Sequence, residues 1–299
     1  MKLRYKSIAV AAATTGALLA AGGATAIGTP HVKRTLLPTP LLAITASKGG
    51  TFEVAGPRHF SAGRVNLKLV AGKGEQEVAI ARLHGSYSYK DLGRDFATFG
   101  KAQDNPTPAA LKALNRIVRR TTFFGGLDSG AGHTTVSGSV VLPRAGKYLV
   151  LNDATGPGLG GKVALHVSPR VGSRSTPPAS AVVRATTSKR FRGSKHLPAA
   201  GTIEFKNNST NSPHFLFLQH VKKGTTRKQV LEALKCQGPK CHGPIRNGSV
   251  GTDVVFMGKT MTLTYTLPAG DYAEMCFFPD LKTGMPHALM GMVRIVHLS

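Results

Sequence analysis

Short runs in which apolar and polar residues alternate dominate the chain, and alternation with a period of two is the mark of a strand with one buried face. Such runs occupy positions 51–55, 64–70, 78–83, 135–142, 147–151 and 163–167, and again 181–185, 201–206, 215–221, 260–267, 271–277 and 293–298. Helical spacing surfaces twice. Leu111, Leu114 and Ile117 share a face over 106–120, with Thr107 as N-cap ahead of Pro108, and a shorter helix is predicted over 226–234. Residues 169–180, with Pro169, Pro177 and Pro178, separate the two sets of strands as a linker. The pattern predicts an all-β chain of two domains, 48–168 and 181–299, with short helices in the loops.

The two halves share spacings as well as a plan. Gly63 to Gln76 is as long as Gly201 to His214, and Gly146-Lys-Tyr148 to Asn152 matches Gly270-Asp-Tyr272 to Cys276. One fold duplicated in tandem accounts for both matches. Where the second half carries His214, Cys276, His287 and Met292, the first offers Gln76, Asn152, no histidine over 153–161, and Lys162. The strand and turn residues recur while the donors do not, so the fold does not require the donors.

Composition adds a class and a charge. A chain of 299 residues with 41% hydrophobic residues can bury two cores, and Gly 35 with Pro 18 suits many turns. Lys and Arg exceed Asp and Glu by 39 to 14, a formal charge of +25. The basic residues are scattered, with no recognition-helix pattern and no aromatic interleaving, which argues against specific nucleic-acid binding. Such a surface suits an anionic cell-wall polymer or a membrane surface.

Residues 1–26 carry Lys2, Arg4 and Lys6, then an apolar small-residue run, then Ala24-Thr25-Ala26, the layout of a secretory signal helix with its cleavage site. Kept uncleaved, the same run approaches the length of an anchor. Residues 27–47 are Pro-rich and read as a linker or tether. The expected location is therefore secreted or extracytoplasmic, with wall or membrane association. In that oxidising setting Cys236 and Cys241, which close a Gly-Pro loop, are expected to form a disulfide, leaving Cys276 as the third and unpaired cysteine.

Cys276, His287 and Met292 fall in one strand–loop–strand corner, and His214 lies at the start of an earlier strand. Thiolate, imidazole and thioether together suit copper better than magnesium or calcium, because polarisable sulfur prefers a soft ion. The run from Asn207 to His214, followed by C-x10-H-x4-M, resembles the cupredoxins, the plastocyanin and azurin type of Greek-key β-sandwich. The resemblance covers the last third of the chain directly and the first domain through the repeat. It implies two tandem cupredoxin-like sandwiches and one copper in the second. His214 and His287 would be imidazole ligands, Cys276 the thiolate and Met292 the weak axial donor, with Met290 as the alternative axial residue. The sequence departs from the small electron carriers in a longer Cys276–His287 loop, which implies a less rigid site, in Phe215 after the first histidine, and in Phe277 after the cysteine.

No His flanks Cys276 and no His-x-His pairs occur, which argues against an oxidase, and G-x-S-x-G, H-E-x-x-H and P-loop motifs are absent. The reading is a non-enzymatic copper protein for electron transfer or extracytoplasmic copper handling, with a redox partner protein. The alternative from a different class is a non-catalytic wall or surface binding module carrying a vestigial metal site.

Overall fold

The computed structural model describes residues 38–47, 52–72, 74–102, 104–130, 135–152, 159–236 and 243–299. The expected signal segment, positions 27–37 of the expected linker, and Cys241 lie outside the described residues. In the first half the elements are β1 (Leu41–Ala46), β2 (Phe52–Ala55), β3 (His59–Ala71), β4 (Glu77–Leu83), α1 (Tyr89–Lys101), α2 (Pro108–Arg120), β5 (Thr121–Asp128), β6 (Thr135–Leu142), β7 (Gly146–Asn152) and β8 (Gly161–Val171). The second half follows with β9 (Ala181–Ala185), β10 (Phe191–Gly193), β11 (His196–Leu197), β12 (Ala200–Asn207), β13 (Phe217–Val221), α3 (Arg227–Lys235), β14 (Ile245–Thr252), β15 (Thr260–Thr266), β16 (Gly270–Met275) and β17 (Val293–Leu298).

Strand pairing shows the duplication directly. In the first half β1 pairs with β2 and β3, β3 with β6 and β8, β4 with β5 and β7, and β7 with β8. The second half repeats each pairing, with β9 to β10 and β12, β12 to β15, β11 to β17, β13 to β14 and β16, and β16 to β17. Even the register agrees, since Ile80 lies opposite Val150 as Leu218 lies opposite Glu274. Tyr148 and Tyr272, both fully buried, each donate a hydroxyl hydrogen bond to the carbonyl four residues earlier, Arg144 and Pro268. The register also corrects one detail. Gly161, not Lys162, lies opposite Asn152, so Gly161 holds the place that Met292 takes one step beyond the Met275–Val293 pair.

The halves do not sit as separate beads. Strand β6 pairs with β15 and β5 with β14, like meeting like, so both sheets run unbroken from one half into the other. Close approach at this seam demands glycine, because a Cβ on Gly138 would lie 2.1 Å from the Thr262 carbonyl oxygen. One apolar core fills the sandwich across the seam, from Val65, Leu67 and Leu69 on β3 to Leu263 on β15 and Tyr272 on β16. Each fully buried aliphatic side chain there contributes roughly 1.5–3 kcal/mol relative to exposure.

Several elements depart from the sequence reading. Residues 41–46, expected as linker, form β1, whose Leu42, Ile44 and Ala46 point into the core while β1 runs parallel to β3. Flanking prolines at 38 and 40 hide this alternation. Helix α1 has a Ser88–Asp91 capping box and an apolar face at Leu92 and Phe96, but Gly93 and Gly100 weaken its helical signal. Helices α2 and α3 fall where predicted, with Thr107 and Thr226 as N-caps. Among the described residues no helix is long and apolar enough to cross a membrane.

Candidate metal centre

Strand β16 sends Tyr272, Glu274 and then Cys276 into the sandwich interior, because alternate residues share a face. After Cys276 the chain makes a loop and returns through His287 and Met292 to β17. His214 approaches from the other side, where it exchanges both backbone hydrogen bonds with Val255, at 3.1 and 2.8 Å. All three donors are completely buried. The Cys276 Sγ lies 3.7 Å from His214 Nδ1 and 3.8 Å from His287 Nδ1, and the two Nδ1 atoms are 3.1 Å apart.

This triangle fits a metal ion. A point equidistant from the three atoms lies about 2.1 Å from each, close to ordinary metal–imidazole and metal–thiolate lengths of about 2.0–2.3 Å. Among the described residues no other His, Cys or carboxylate joins the group. A tetrahedral zinc site would need a fourth strong donor, whereas a trigonal His2Cys set with at most a weak axial ligand is the arrangement that suits copper.

The surroundings orient these donors with their Nδ1 atoms inward. The His287 Nε2 lies 3.4 Å from the Ser212 hydroxyl, and the buried His214 Nε2 makes no hydrogen bond of ordinary geometry. Burial holds His214 down at about 4, helped by the Lys189 charge, and burial with the neighbouring His214 and Lys189 holds His287 down at about 3. Both rings are thus neutral near pH 7, the form that ligates. Burial pushes the Cys276 thiol up to about 12, although backbone N–H groups of Phe215 and Phe278 point at the sulfur and favour the thiolate.

The methionines separate sharply. Met292 is fully buried in the same core cluster as Cys276, whereas Met290 is 38% exposed and Met285 46% exposed. Met275 faces the opposite side of β16 and packs under α3 with Val230 and Leu234. Cys236 forms the C-cap of α3 and does not join the donor group.

The long Cys276–His287 loop is tied down, against the expectation of a less rigid site. Its two arms pair across, with His287 N–H to the Phe278 carbonyl, Ala288 N–H to the Cys276 carbonyl, and a bridge between Pro279 and Pro286. Asp280 is the anchor. Its Oδ1 accepts from the backbone N–H groups of Lys282 and Thr283 and from the Thr283 hydroxyl, and its Oδ2 meets Lys189 Nζ at 2.9 Å. Burial opposes ionisation, yet Lys189 and these donors outweigh it and hold the carboxyl at about 2. A carboxyl held below its unfolded value contributes stability that is present above that value and lost as pH falls through the folded one. Urea midpoints of the metal-free protein are therefore expected to fall between about pH 4 and pH 2, and Asp280→Asn is expected to flatten that fall.

Asn207 is a second residue that motif spacing does not reveal. Fully buried, it donates to the carbonyls of Ser212 and Val255 and accepts from Ser209 N–H, shaping the turn into His214. Only its place at the start of the Asn-rich run before His214 hinted at it.

No family model matches the chain, and no curated protein matches it. Among solved structures, reduced auracyanin from Roseiflexus castenholzii matches at 20% identity over 40% of this chain and 94% of its own, with a TM-score of 0.25. Copper nitrite reductase from Nitrosomonas europaea matches at 10% identity over 87% of this chain and 93% of its own, with a TM-score of 0.22. A multicopper oxidase matches at 11% identity over 87% and 88%, with a TM-score of 0.23. Overlaps this weak carry no weight of their own beside the chain's pairing and donors. Its own strand pairing gives the paired β-sandwich halves that the cupredoxin resemblance of the sequence implies, and its second half brings together the His214, Cys276 and His287 set that the same resemblance implies.

Proposed function

We propose that this is an extracytoplasmic copper-binding protein, in whose second half His214, Cys276 and His287 would hold one ion, with the buried Met292 as a weaker donor. The observation that carries the reading is the convergence of two imidazole Nδ1 atoms and one thiol on a single buried point. Copper held there would supply a one-electron couple. The protein's own part is to exclude water from three buried donors, to keep both imidazoles neutral, and to aim two backbone N–H groups at the sulfur. Fixed donors limit the rearrangement that accompanies a change of charge at the site. Those properties would suit electron transfer with a redox partner protein, or the holding of copper outside the cytoplasm. A Cys236–Cys241 disulfide belongs to the same reading of location.

Loading the full chain with Cu(II) tests it. One equivalent should bind with an intense visible thiolate-to-copper absorption. Because the thiol is protonated in the metal-free protein, one proton should be released per copper near pH 7, and affinity should rise roughly tenfold per pH unit. A colourless protein with no stoichiometric copper would sink the proposal.

The charge of +25 favours a second reading, a non-catalytic module for an anionic wall polymer or membrane surface. Retention on such a polymer that survived high salt would contradict simple charge-driven binding.

A further inference from the structure

The first half lacks the donors, yet it touches the supports of both imidazoles. On the His287 side, α2 of the first half reaches the ligand loop. Asn115 Nδ2 donates to the Leu281 carbonyl at 2.8 Å across 166 positions of sequence, while also bonding the Leu111 carbonyl in its own helix. Gly284, at the tip of the loop with φ of 72°, rests against the α2 entry, where an added Cβ would lie 2.5 Å from Pro106 Cγ.

On the His214 side, contact runs through β5. Phe256 N–H donates to the Phe123 carbonyl at 3.1 Å and Asp253 N–H to the Gly126 carbonyl at 3.1 Å, and Phe124 bridges to Val255. Val255 is the residue that holds His214 through both backbone bonds. Each imidazole thus stands a short relay of hydrogen-bonded contacts from the first half, through the Asn115 side chain on one side and through backbone on the other. Donor constellations work only within about 0.5 Å of their required geometry. The separation of the two imidazoles therefore depends on a frame that lies partly outside the second half.

We propose that the donor-free half is the positioning half of the metal centre, and that Asn115 is a positioning residue for His287 acting through the Leu281 carbonyl. The spectroscopic arm of the test rests on the copper reading above. The other arm does not.

The test compares full-length wild type, Asn115→Ala and Lys112→Ala. Alanine favours the helix at both positions, so α2 keeps or gains local stability, and Lys112 is exposed on the same helix. With copper, Asn115→Ala is expected to shift the thiolate absorption and to release copper to a chelator roughly tenfold faster, the low end of what outer-shell changes cost. Without copper, hydrogen exchange should quicken across 281–288 in Asn115→Ala alone, while β16 keeps its protection. If wild type binds no copper, the copper reading fails and the exchange arm decides the positioning claim by itself. Unchanged spectrum, release and exchange in Asn115→Ala would overturn the proposal. So would a lowered unfolding midpoint with those three unchanged, since that marks a merely structural contact.

Discussion

Replacing Cys276 with alanine is expected to abolish the visible absorption of the copper-loaded protein while leaving the sandwich folded. The band needs a thiolate on the metal, and Cys276 is the free cysteine of the described chain and the sulfur of the triangle. Copper affinity should fall by more than the 10–100-fold that outer-shell changes cost, because one of three strong donors is gone. The fold should survive, since Asn152 occupies the same register position in the first half and that half pairs its strands identically. Cys276→Ser keeps a hydroxyl near the Phe215 and Phe278 N–H groups, yet it too should be colourless. Absorption spectra and chelator competition on the three proteins decide the matter, and an unaltered band in Cys276→Ala would place the copper elsewhere.

The largest expected loss of stability comes from one position deeper in the same strands. Glu274 is fully buried on the interior face of β16, and Arg294, opposite it on β17, donates Nε to its Oε2 at 2.6 Å and Nη1 to the Gly193 carbonyl at 2.9 Å. Burial raises the Glu274 carboxyl, and Arg294 works against that rise. Glu274 Oε1 and Arg294 Nη2 make no hydrogen bond, so the pair is incompletely satisfied. Removing the guanidinium alone strands a buried carboxylate, and Arg294→Val is expected to cost about 3–5 kcal/mol. The first half supplies the control, because Val150 and Val163 face each other at the matching register. The double variant Glu274→Val with Arg294→Val should recover most of that loss, as apolar replacements of buried pairs are often neutral or stabilising. Urea midpoints of the metal-free proteins measure both. A single variant as mild as the double would show that the pair is not coupled in the folded state.

Much of the fold was legible from alternation, and the legible strands share a property. On β3, β6 and β15 the apolar residues at every second position meet one core, so the local period is also the buried face. The donors were legible for a different reason. His214 and Cys276 stand at positions where the duplicate has Gln76 and Asn152, and comparison within one chain separates what the fold needs from what it does not.

Of the strands that join the halves, β6 and β15 were legible, while β5 and β14 escaped the reading. Strand β5 contains Gly125 and Gly126, which break its alternation, and the structure gives the reason. A Cβ on Gly126 would lie 1.8 Å from the Val78 carbonyl oxygen, and one on Gly125 would lie 2.5 Å from Met261 Sδ. Its partner β14 is likewise interrupted at Gly248 and Gly251. These glycines are set by what passes close to them, not by their sequence neighbours. The stiffness of the Cys276–His287 loop was hidden for the same reason, since Asp280 gains its grip from Lys189 and Leu281 from Asn115.

By itself, then, the sequence determined which residues face a core, that one fold occurs twice, and which half carries the soft donors. All three are recorded in short periods or in fixed spacings along the chain. Only the tertiary structure decided that the two sheets run through both halves, that Met292 is buried while Met290 is exposed, and that the first half braces both imidazoles. Those outcomes depend on residues tens to hundreds of positions apart coming within hydrogen-bonding or van der Waals distance, and no local period encodes which distant residue will arrive.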